Sequence, residues 1–375
     1  MNEKMDRLIG WFKHQKVGPL SLEIWPTYRC NLNCVMCGTW ASRRRLGKQG
    51  IDYDVEKEIA SEISEQRFVE IIKEAARLGI KKCLITGGGE PFVRKATTLR
   101  LMNEIKMLNM FGNVNTNGTL LSNEDTLNIV EMNWNMMMFS IDSADKKTHD
   151  FIRGSKGTFR KAMKTLKTIK KLKGDLEKDR PKIVFNTVLT NRNYQKLKEM
   201  IKLAKKVDCE DITFIPLIKF EGLEAELELN EKQISEFKEI VPEIIEFSKG
   251  LGIKTNIEDL TKKFVNTSEM DSDILSQIEN SPKNFVHSPC FEPFLHLLIK
   301  PKGETTCCCM LEGSKENVKD KSLEEVWYGK YFNELREQII NRNLPKECKN
   351  CVFSQFIRNK QMREELKRNL LKKSI

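Results

Sequence analysis

The chain has 375 residues, 39% hydrophobic and 31% charged, with a formal net charge of +11. That balance suits a folded globular protein rather than a disordered one, and the length allows one large α/β barrel plus a small module, or two ordinary domains. No apolar run is long enough to span a bilayer, and residues 1–16 carry charges throughout without a signal-peptide core, so no membrane span and a cytoplasmic location are expected. The 11 cysteines then point to metal or redox chemistry rather than to a disulfide framework. The basic residues are interspersed with acidic ones. Only Arg43-Arg44-Arg45 and the tail from Arg358 to Lys373 are dense, so a solvated surface is expected and nucleic acid is disfavoured as a partner.

Residues 1–16 read as a short amphipathic helix with Leu8, Ile9, Trp11 and Phe12 on its apolar side. A strand over Leu20–Trp25 then delivers the stretch Tyr28-Arg-Cys30-Asn-Leu-Asn-Cys34-Val-Met-Cys37, in which the cysteines are spaced C-x3-C-x2-C. Thiolates are soft ligands that suit iron–sulfur clusters or zinc. Zinc loops pair their cysteines and find a second pair elsewhere, which fits three in one loop poorly. A cubane held by this loop keeps one iron open, and an open iron can chelate a substrate or cofactor.

A long polar connector from Gly38 to Glu65, with a Gly47–Gly50 turn, reads as a lid, a substrate-contacting segment or a plain insertion. A strand–helix rhythm follows. Strands are expected at Lys82–Thr86, Gly112–Asn115, Asn135–Phe139, Lys182–Leu189 and Asp211–Ile218. Helical spacing is seen at Phe68–Leu78, Thr97–Leu108, Asn123–Met132, Phe159–Lys171 and Tyr194–Val207. Continuous apolar strands alternating with amphipathic helices imply a parallel sheet covered by helices. Six such units make a curved, incomplete barrel. Polar motifs close one strand after another: Gly87-Gly88-Gly89-Glu90-Pro91, Asn115-Thr-Asn117-Gly118 and Ser140-Ile-Asp142-Ser143. Ligands collect at those carboxyl ends in parallel α/β folds. Met136–Met138 read as core filler, and Cys83 and Cys209 as buried thiols.

The cysteine loop followed by these strand-end motifs resembles the radical S-adenosylmethionine (SAM) superfamily. The resemblance implies a partial (β/α)6 TIM-like barrel. It implies a 4Fe–4S cluster on Cys30, Cys34 and Cys37, with SAM on the open iron as the source of a 5′-deoxyadenosyl radical. By the same resemblance Gly88, Gly89 and Glu90 contact the SAM amino group, and Asn117 lines the SAM side of the barrel. Ser140 and Asp142 accept from the ribose, Arg153 pairs with the SAM carboxylate, and Met36 lies near adenine. Asn186 and Ile215 are weaker carry-overs for ribose and adenine. Arg153 can also be read as a surface charge at a helix end, and Met36 as packing.

After an acidic helical connector, with its clearest helix over Leu227–Phe247, a second cysteine region begins at Cys290-Phe-Glu-Pro293-Phe294. A strand Leu295–Lys300, a turn at Pro301-Lys-Gly303 and a return strand Thr305–Cys309 form a hairpin. Helices at Ser322–Trp327 and Phe332–Ile340 precede Cys348-Lys-Asn-Cys351. Four thiolates, one of them from Cys307–Cys309, suffice for a cluster or a structural zinc. This region resembles the single-cluster Twitch form of the SPASM extension. The resemblance makes Cys290, Cys308, Cys348 and Cys351 the ligands of one auxiliary 4Fe–4S cluster.

The expected organisation is a helical lead-in (1–19), the barrel (20–220), a helical connector (221–285), the auxiliary domain (286–356) and a basic C-terminal helix (357–375). The expected activity is hydrogen abstraction followed by oxidation, of a dehydrogenation type, on a small polyol or sugar-like metabolite or on a peptide. Flavodoxin or ferredoxin is the expected electron donor. About twenty residues precede the first strand, with no leader-binding domain among them, which favours the metabolite. Two other readings are an enzyme acting on RNA and a non-enzymatic protein with metal-stabilised knuckles. No catalytic acid or base can be selected.

Overall fold

The computed structural model describes residues 3–38, 54–218, 226–265, 280–351 and 353–372. The expectations at Arg43–Arg45 and Gly47–Gly50 lie outside them. Helix α1 (Glu3–Phe12) precedes β1 (Ser21–Ile24), and α2 (Val55–Ser61) and α3 (Glu65–Arg77) lead to β2 (Lys82–Ile85). Then come α4 (Lys95–Met107), β3 (Phe111–Thr116), α5 (Asn123–Glu131), β4 (Met136–Ser140), α6 (Lys146–Ile152), α7 (Thr158–Asp175) and β5 (Lys182–Leu189). The barrel continues through α8 (Leu197–Lys206), β6 (Cys209–Pro216), α9 (Glu231–Gly250), β7 (Lys254–Thr255) and α10 (Ile257–Val265). The last part holds α11 (Glu292–Leu295), β8 (His296–Ile299), β9 (Thr305–Thr306), α12 (Leu323–Trp327), α13 (Lys330–Ile340) and α14 (Phe353–Lys372).

The strands form one sheet in the order β7-β6-β5-β4-β3-β2-β1-β8-β9. Every neighbouring pair from β7 to β8 is parallel, and β8 with β9 is antiparallel. The expected six-strand barrel is present. The hairpin, however, is no free-standing unit: β8 pairs with β1, setting His296 opposite Ser21 and Ile299 opposite Ile24. Nothing local in either strand encodes that pairing.

Alternation along the strands separates two faces. Leu22, Ile85, Val114, Phe139, Phe185 and Phe214 are buried in the core beneath the helices. The opposite face carries Ser21, Glu23, Asn113, Asn115, Asn186 and Thr213, all partly buried. Met137 belongs to the core, whereas Met136 and Met138 lie half-buried on that second face. The core-filler reading therefore holds for the middle methionine alone, as a two-residue period requires.

Helix starts follow side-chain chemistry. Ser122 with Asp125, Asn230 with Gln233 and Ser322 with Glu325 close reciprocal capping boxes. Helix α1 buries Met5, Leu8 and Ile9, on a cluster shared with Phe294, Met362 and Leu366. Each such side chain contributes about 1.5–3 kcal/mol by leaving water. Phe12, expected on the apolar side, is exposed because the helix ends there and the chain turns at His14 (φ 55°). No helix among the described residues is long and apolar enough to cross a membrane.

Candidate active site

The first cysteine loop leaves the carboxyl end of β1 and is held on three sides. Below it, Gly88 and Gly89 come so close that a Cβ on Gly89 would sit 2.1 Å from the Arg29 carbonyl oxygen, and one on Gly88 would sit 2.4 Å from the Tyr28 ring. The glycines thus admit the cluster loop itself. The Glu90 amide donates to the Arg29 carbonyl at 2.9 Å. On the second side, Asn117 Nδ2 donates to Asn31 Oδ1 at 2.9 Å. On the third, the Val35 amide donates to the Ile152 carbonyl at 3.0 Å, and a Cβ on Gly154 (φ 60°) would meet the Asn33 carbonyl oxygen at 1.8 Å.

Glu90 is buried, with its carboxylate turned to the next strand end. It accepts from Thr116 Oγ1 at 2.7 Å, the Asn117 amide at 2.8 Å and the Phe92 amide at 3.2 Å. Burial pushes its pKa up, opposed by those hydrogen bonds. Asp142 is fully buried and engaged by the protein: Oδ1 accepts from the Val188 amide at 3.0 Å, and Oδ2 pairs with Arg153 Nε at 2.6 Å. Of its two carboxylate oxygens, Oδ1 thus takes a backbone hydrogen bond and Oδ2 an ion pair. Arg153 is also buried, contrary to a surface helix-end charge, and its Nη1 lies 4.0 Å from Cys34 Sγ. His149 sits behind this pair, where its Nδ1 accepts the Asp142 amide at 3.2 Å. Burial lowers its pKa to about 4, so the ring is neutral. Met36 and Ser140 are half-buried.

The three loop thiols are half-buried and near enough to act on one another's ionisation. Burial raises Cys30 to about 12, and raises Cys34 against the opposing charge of Arg153. Bound iron reverses that balance, since coordinated thiols are deprotonated outright. Among the described residues no three His, Cys, Asp or Glu side chains converge as one metal ion requires. A cubane takes each thiolate at a different iron and needs no such convergence.

An ionic network at the base of this loop was not legible in the sequence. Buried Glu62, just before α3, accepts from Thr27 Oγ1 and from Arg29 Nη2 (3.0 Å), and lies 3.6 Å from Arg94 Nη1. Arg94 also donates to the carbonyls of Pro26 (3.0 Å) and Ile63 (2.9 Å). The chain entering the loop is thereby tied to the start of α3. Contacts 33 and 68 residues apart leave no periodic trace.

The second cysteine group lies at the other end of the strands. Cys290 precedes the start of β8, which runs parallel to β1, and Cys307–Cys309 follow the end of antiparallel β9. Both therefore fall at the amino end of the sheet, opposite the first loop. Burial raises the pKa of Cys290 and of Cys348; Cys351 and Cys308 add to the first shift electrostatically, and Cys308 to the second. Of the consecutive three, Cys307 is buried, Cys308 half-buried and Cys309 exposed. A hydrogen bond from Cys309 lowers the Cys308 pKa, against burial, which raises it. Cys83 and Cys209 are buried, as expected.

Comparison with known proteins agrees with this layout. The model of the radical SAM superfamily matches residues 24–204, and that of an iron–sulfur cluster-binding domain, SPASM, matches residues 290–352. The two spans take in well over half of the chain, which belongs to the radical SAM superfamily and carries a C-terminal SPASM domain. It is thus a radical SAM enzyme whose cofactors are SAM, its 4Fe–4S cluster and an auxiliary iron–sulfur cluster.

An AdoMet-dependent heme synthase of Oleidesulfovibrio alaskensis is 22% identical over 83% of this chain and 75% of its own. The tungsten-containing aldehyde ferredoxin oxidoreductase cofactor-modifying protein of Pyrococcus furiosus is 25% identical over 88% of this chain and 86% of its own. Streptococcus suis SuiB bound to the precursor peptide SuiA shares the fold at a TM-score of 0.62 and 16% identity, covering 89% of this chain and 71% of that one. Other curated relatives match over less than half of their own length.

Proposed function

We propose that the protein oxidises an unactivated C–H bond, in a dehydrogenation, of a substrate held on the strand face between its two cysteine groups. The observation that carries this reading is topological: the two cysteine groups lie at opposite ends of one sheet, the first after β1 and the second flanking its neighbours β8 and β9. A substrate radical formed at one end has an electron acceptor at the other, which suits oxidation. Bound SAM supplies the 5′-deoxyadenosyl radical that removes the hydrogen atom.

The protein's part is binding and exclusion of water. Cys30, Cys34 and Cys37 hold the first cluster; Gly88, Gly89, Glu90, Asn117, Ser140 and Met36 shape the SAM site. Arg153 meets the SAM carboxylate, and Asp142 acts through Arg153 by holding it in place. Cys290, Cys308, Cys348 and Cys351 fill one auxiliary cluster and leave it without a vacancy for substrate.

The substrate carries O–H or N–H donors. Support comes from the side-chain amide oxygens of Asn113, Asn115 and Asn186, which are buried without partners on the strand face opposite the helices. Buried acceptors without partners are costly unless a ligand satisfies them. A polyol, a sugar-like metabolite and a peptide all offer such donors. The relatives' names span heme synthesis, cofactor modification and a precursor peptide, so they leave both size classes open. A low-potential carrier such as flavodoxin or ferredoxin supplies the first electron, and the setting is cytoplasmic.

Anaerobic reconstitution with iron and sulfide counts tests the two-cluster reading. The wild type is expected to hold about eight irons and Cys348→Ala about half of that. An unchanged iron count in Cys348→Ala overturns the auxiliary assignment.

A further inference from the structure

Helix α14 (Phe353–Lys372) begins just past Cys351, beyond residue 352, where the matched SPASM span ends. From sequence its charges read as a solvated basic tail, yet one side of it is engaged. Gln355, Asn359 and Arg363 recur every four residues, which sets them on one face of the helix. Each reaches the segment around Cys290. Arg363 Nη1 donates to the Ser288 carbonyl at 3.1 Å and to the Pro289 carbonyl at 3.4 Å. Asn359 Oδ1 accepts from the Phe291 amide at 2.9 Å, and Gln355 Nε2 donates to Glu292 Oε1. The backbone just before and just after Cys290 is therefore bonded to the same helix.

Asn359, Ser288 and Phe291 are buried, so the Phe291 amide depends on Asn359 for its acceptor. Met362 and Leu366 pack with Met5, Leu8, Phe291 and Phe294, which anchors the helix against α1 and α11. A second guanidinium, that of Arg342, donates to the His287 carbonyl at 2.7 Å. Two cations thus meet the chain directly ahead of Cys290. Burial and the neighbouring Arg342 lower the Arg363 pKa, while Glu364 and an ionised Cys290 raise it. An arginine keeps its charge in all these settings, so the cation is a fixed one.

We infer that α14 completes the auxiliary-cluster site: Asn359 and Arg363 hold the chain on either side of Cys290, and the Arg363 cation favours the reduced cluster. The inference rests on the reading of Cys290 as a ligand given above. Reduction adds one electron, and so one negative charge, to the cluster and its thiolates. A fixed cation beside a ligand stabilises that state more than the oxidised one and raises the midpoint potential. The cluster is then the better electron acceptor, as the oxidative reading requires. Asn359 and Arg363 are positioning residues and neither is a ligand, in the way that partners behind the ligands orient and tune other metal sites.

Two measurements on the anaerobically reconstituted full chain test this. The first is an EPR-monitored titration with dithionite, following the cluster signal that added SAM does not alter. In Arg363→Gln the ratio of reduced to oxidised auxiliary cluster at a fixed potential is expected to fall about tenfold, a midpoint lower by about 59 mV for one electron. Arg363→Lys, which keeps the charge, is expected near the wild type. So is Arg368→Gln, which removes an exposed cation further along the same helix. A wild-type potential in Arg363→Gln, or an equal fall in Arg368→Gln, overturns the electrostatic role. If Arg363→Gln holds too little cluster to titrate, Arg342→Gln is expected to lower the potential by a smaller amount, and an unmoved potential there overturns the same role. The second measurement is the iron count. Asn359→Leu is expected to lose the auxiliary cluster, about half of the iron, and Asn359→Asp, which keeps the acceptor, to retain it. Full iron in Asn359→Leu overturns the holding role; if that variant folds poorly, Gln355→Leu is expected to show a partial loss, and full iron there overturns it. Undiminished iron in Cys290→Ala overturns the ligand assignment itself. Loss of half the iron in Cys290→Ala, with an unmoved potential in Arg363→Gln, overturns the role of Arg363 alone.

Discussion

Arg153 and Asp142 show how a site residue can act at one remove. The pair is buried, with Nε and Oδ2 2.6 Å apart, and the guanidinium reaches towards Cys34. Removing the cation leaves a carboxylate buried and uncompensated, so Arg153→Gln is expected to cost about 3–5 kcal/mol of folding stability. Chemical denaturation reads this, and a cost below about 1 kcal/mol contradicts a tight buried pair. His149, packed behind them, supplies a pH dependence. Its folded pKa of about 4 lies below the ordinary value near 6.5, so the unfolded chain binds more protons between those limits. Stability is therefore lost as pH falls from about 6.5 towards 4, by about 3 kcal/mol in all. His149→Gln should flatten that limb of the stability profile; an unchanged limb places the titration elsewhere. By family resemblance the S-x-D and R-G segments are expected as SAM contacts. That Asp142 also meets an amide 46 residues away and pairs with Arg153 was not legible, because both contacts depend on the fold.

At the scale of elements, the strand-end turns work as seats for the cluster loop. Gly89→Ala places a Cβ against a backbone carbonyl that cannot rotate away. Loss of the SAM-binding cluster is expected, read as a fall of about half in bound iron with the auxiliary cluster retained. Full iron content in Gly89→Ala contradicts the seat. Glu62→Gln tests the ionic base of the same loop. Weakened hydrogen bonds from Thr27 and Arg29, with loss of the charge facing Arg94, should cost about 2 kcal/mol, visible as a lowered unfolding midpoint. Strands and helices of the barrel were legible because each repeats a period of two or 3.6 over enough residues to be read. Applied strictly, that period also separates Met137 from Met136 and Met138. Helix α6 was missed, being only seven residues long, and β7 only two. The expected strand Thr305–Cys309 is shorter than its apolar pattern suggests, ending at Thr306.

The whole molecule is joined by contacts that no local pattern announces. β8 extends the barrel sheet beside β1, and Arg67 of α3 donates to the carbonyls of Val318 (2.7 Å) and Lys321 (2.9 Å). Arg336 lies over the rings of Trp11 at 4.6 Å and Trp327 at 4.3 Å, and donates to the Pro293 carbonyl at 3.0 Å. The lead-in helix, the barrel and the SPASM domain are thus tied together by contacts between residues far apart in sequence. The motifs on each side were readable because metal ligands fall at short, regular spacings. Their relation was not, because it depends on pairing between strands some 275 residues apart. Radical generation is read directly by reducing the anaerobically reconstituted protein in the presence of SAM. The wild type is expected to form 5′-deoxyadenosine and methionine in equal amounts, and Cys34→Ala neither. Intact SAM in the wild type despite full iron loading, or undiminished cleavage by Cys34→Ala, rules out a SAM-cleaving cluster on Cys30, Cys34 and Cys37.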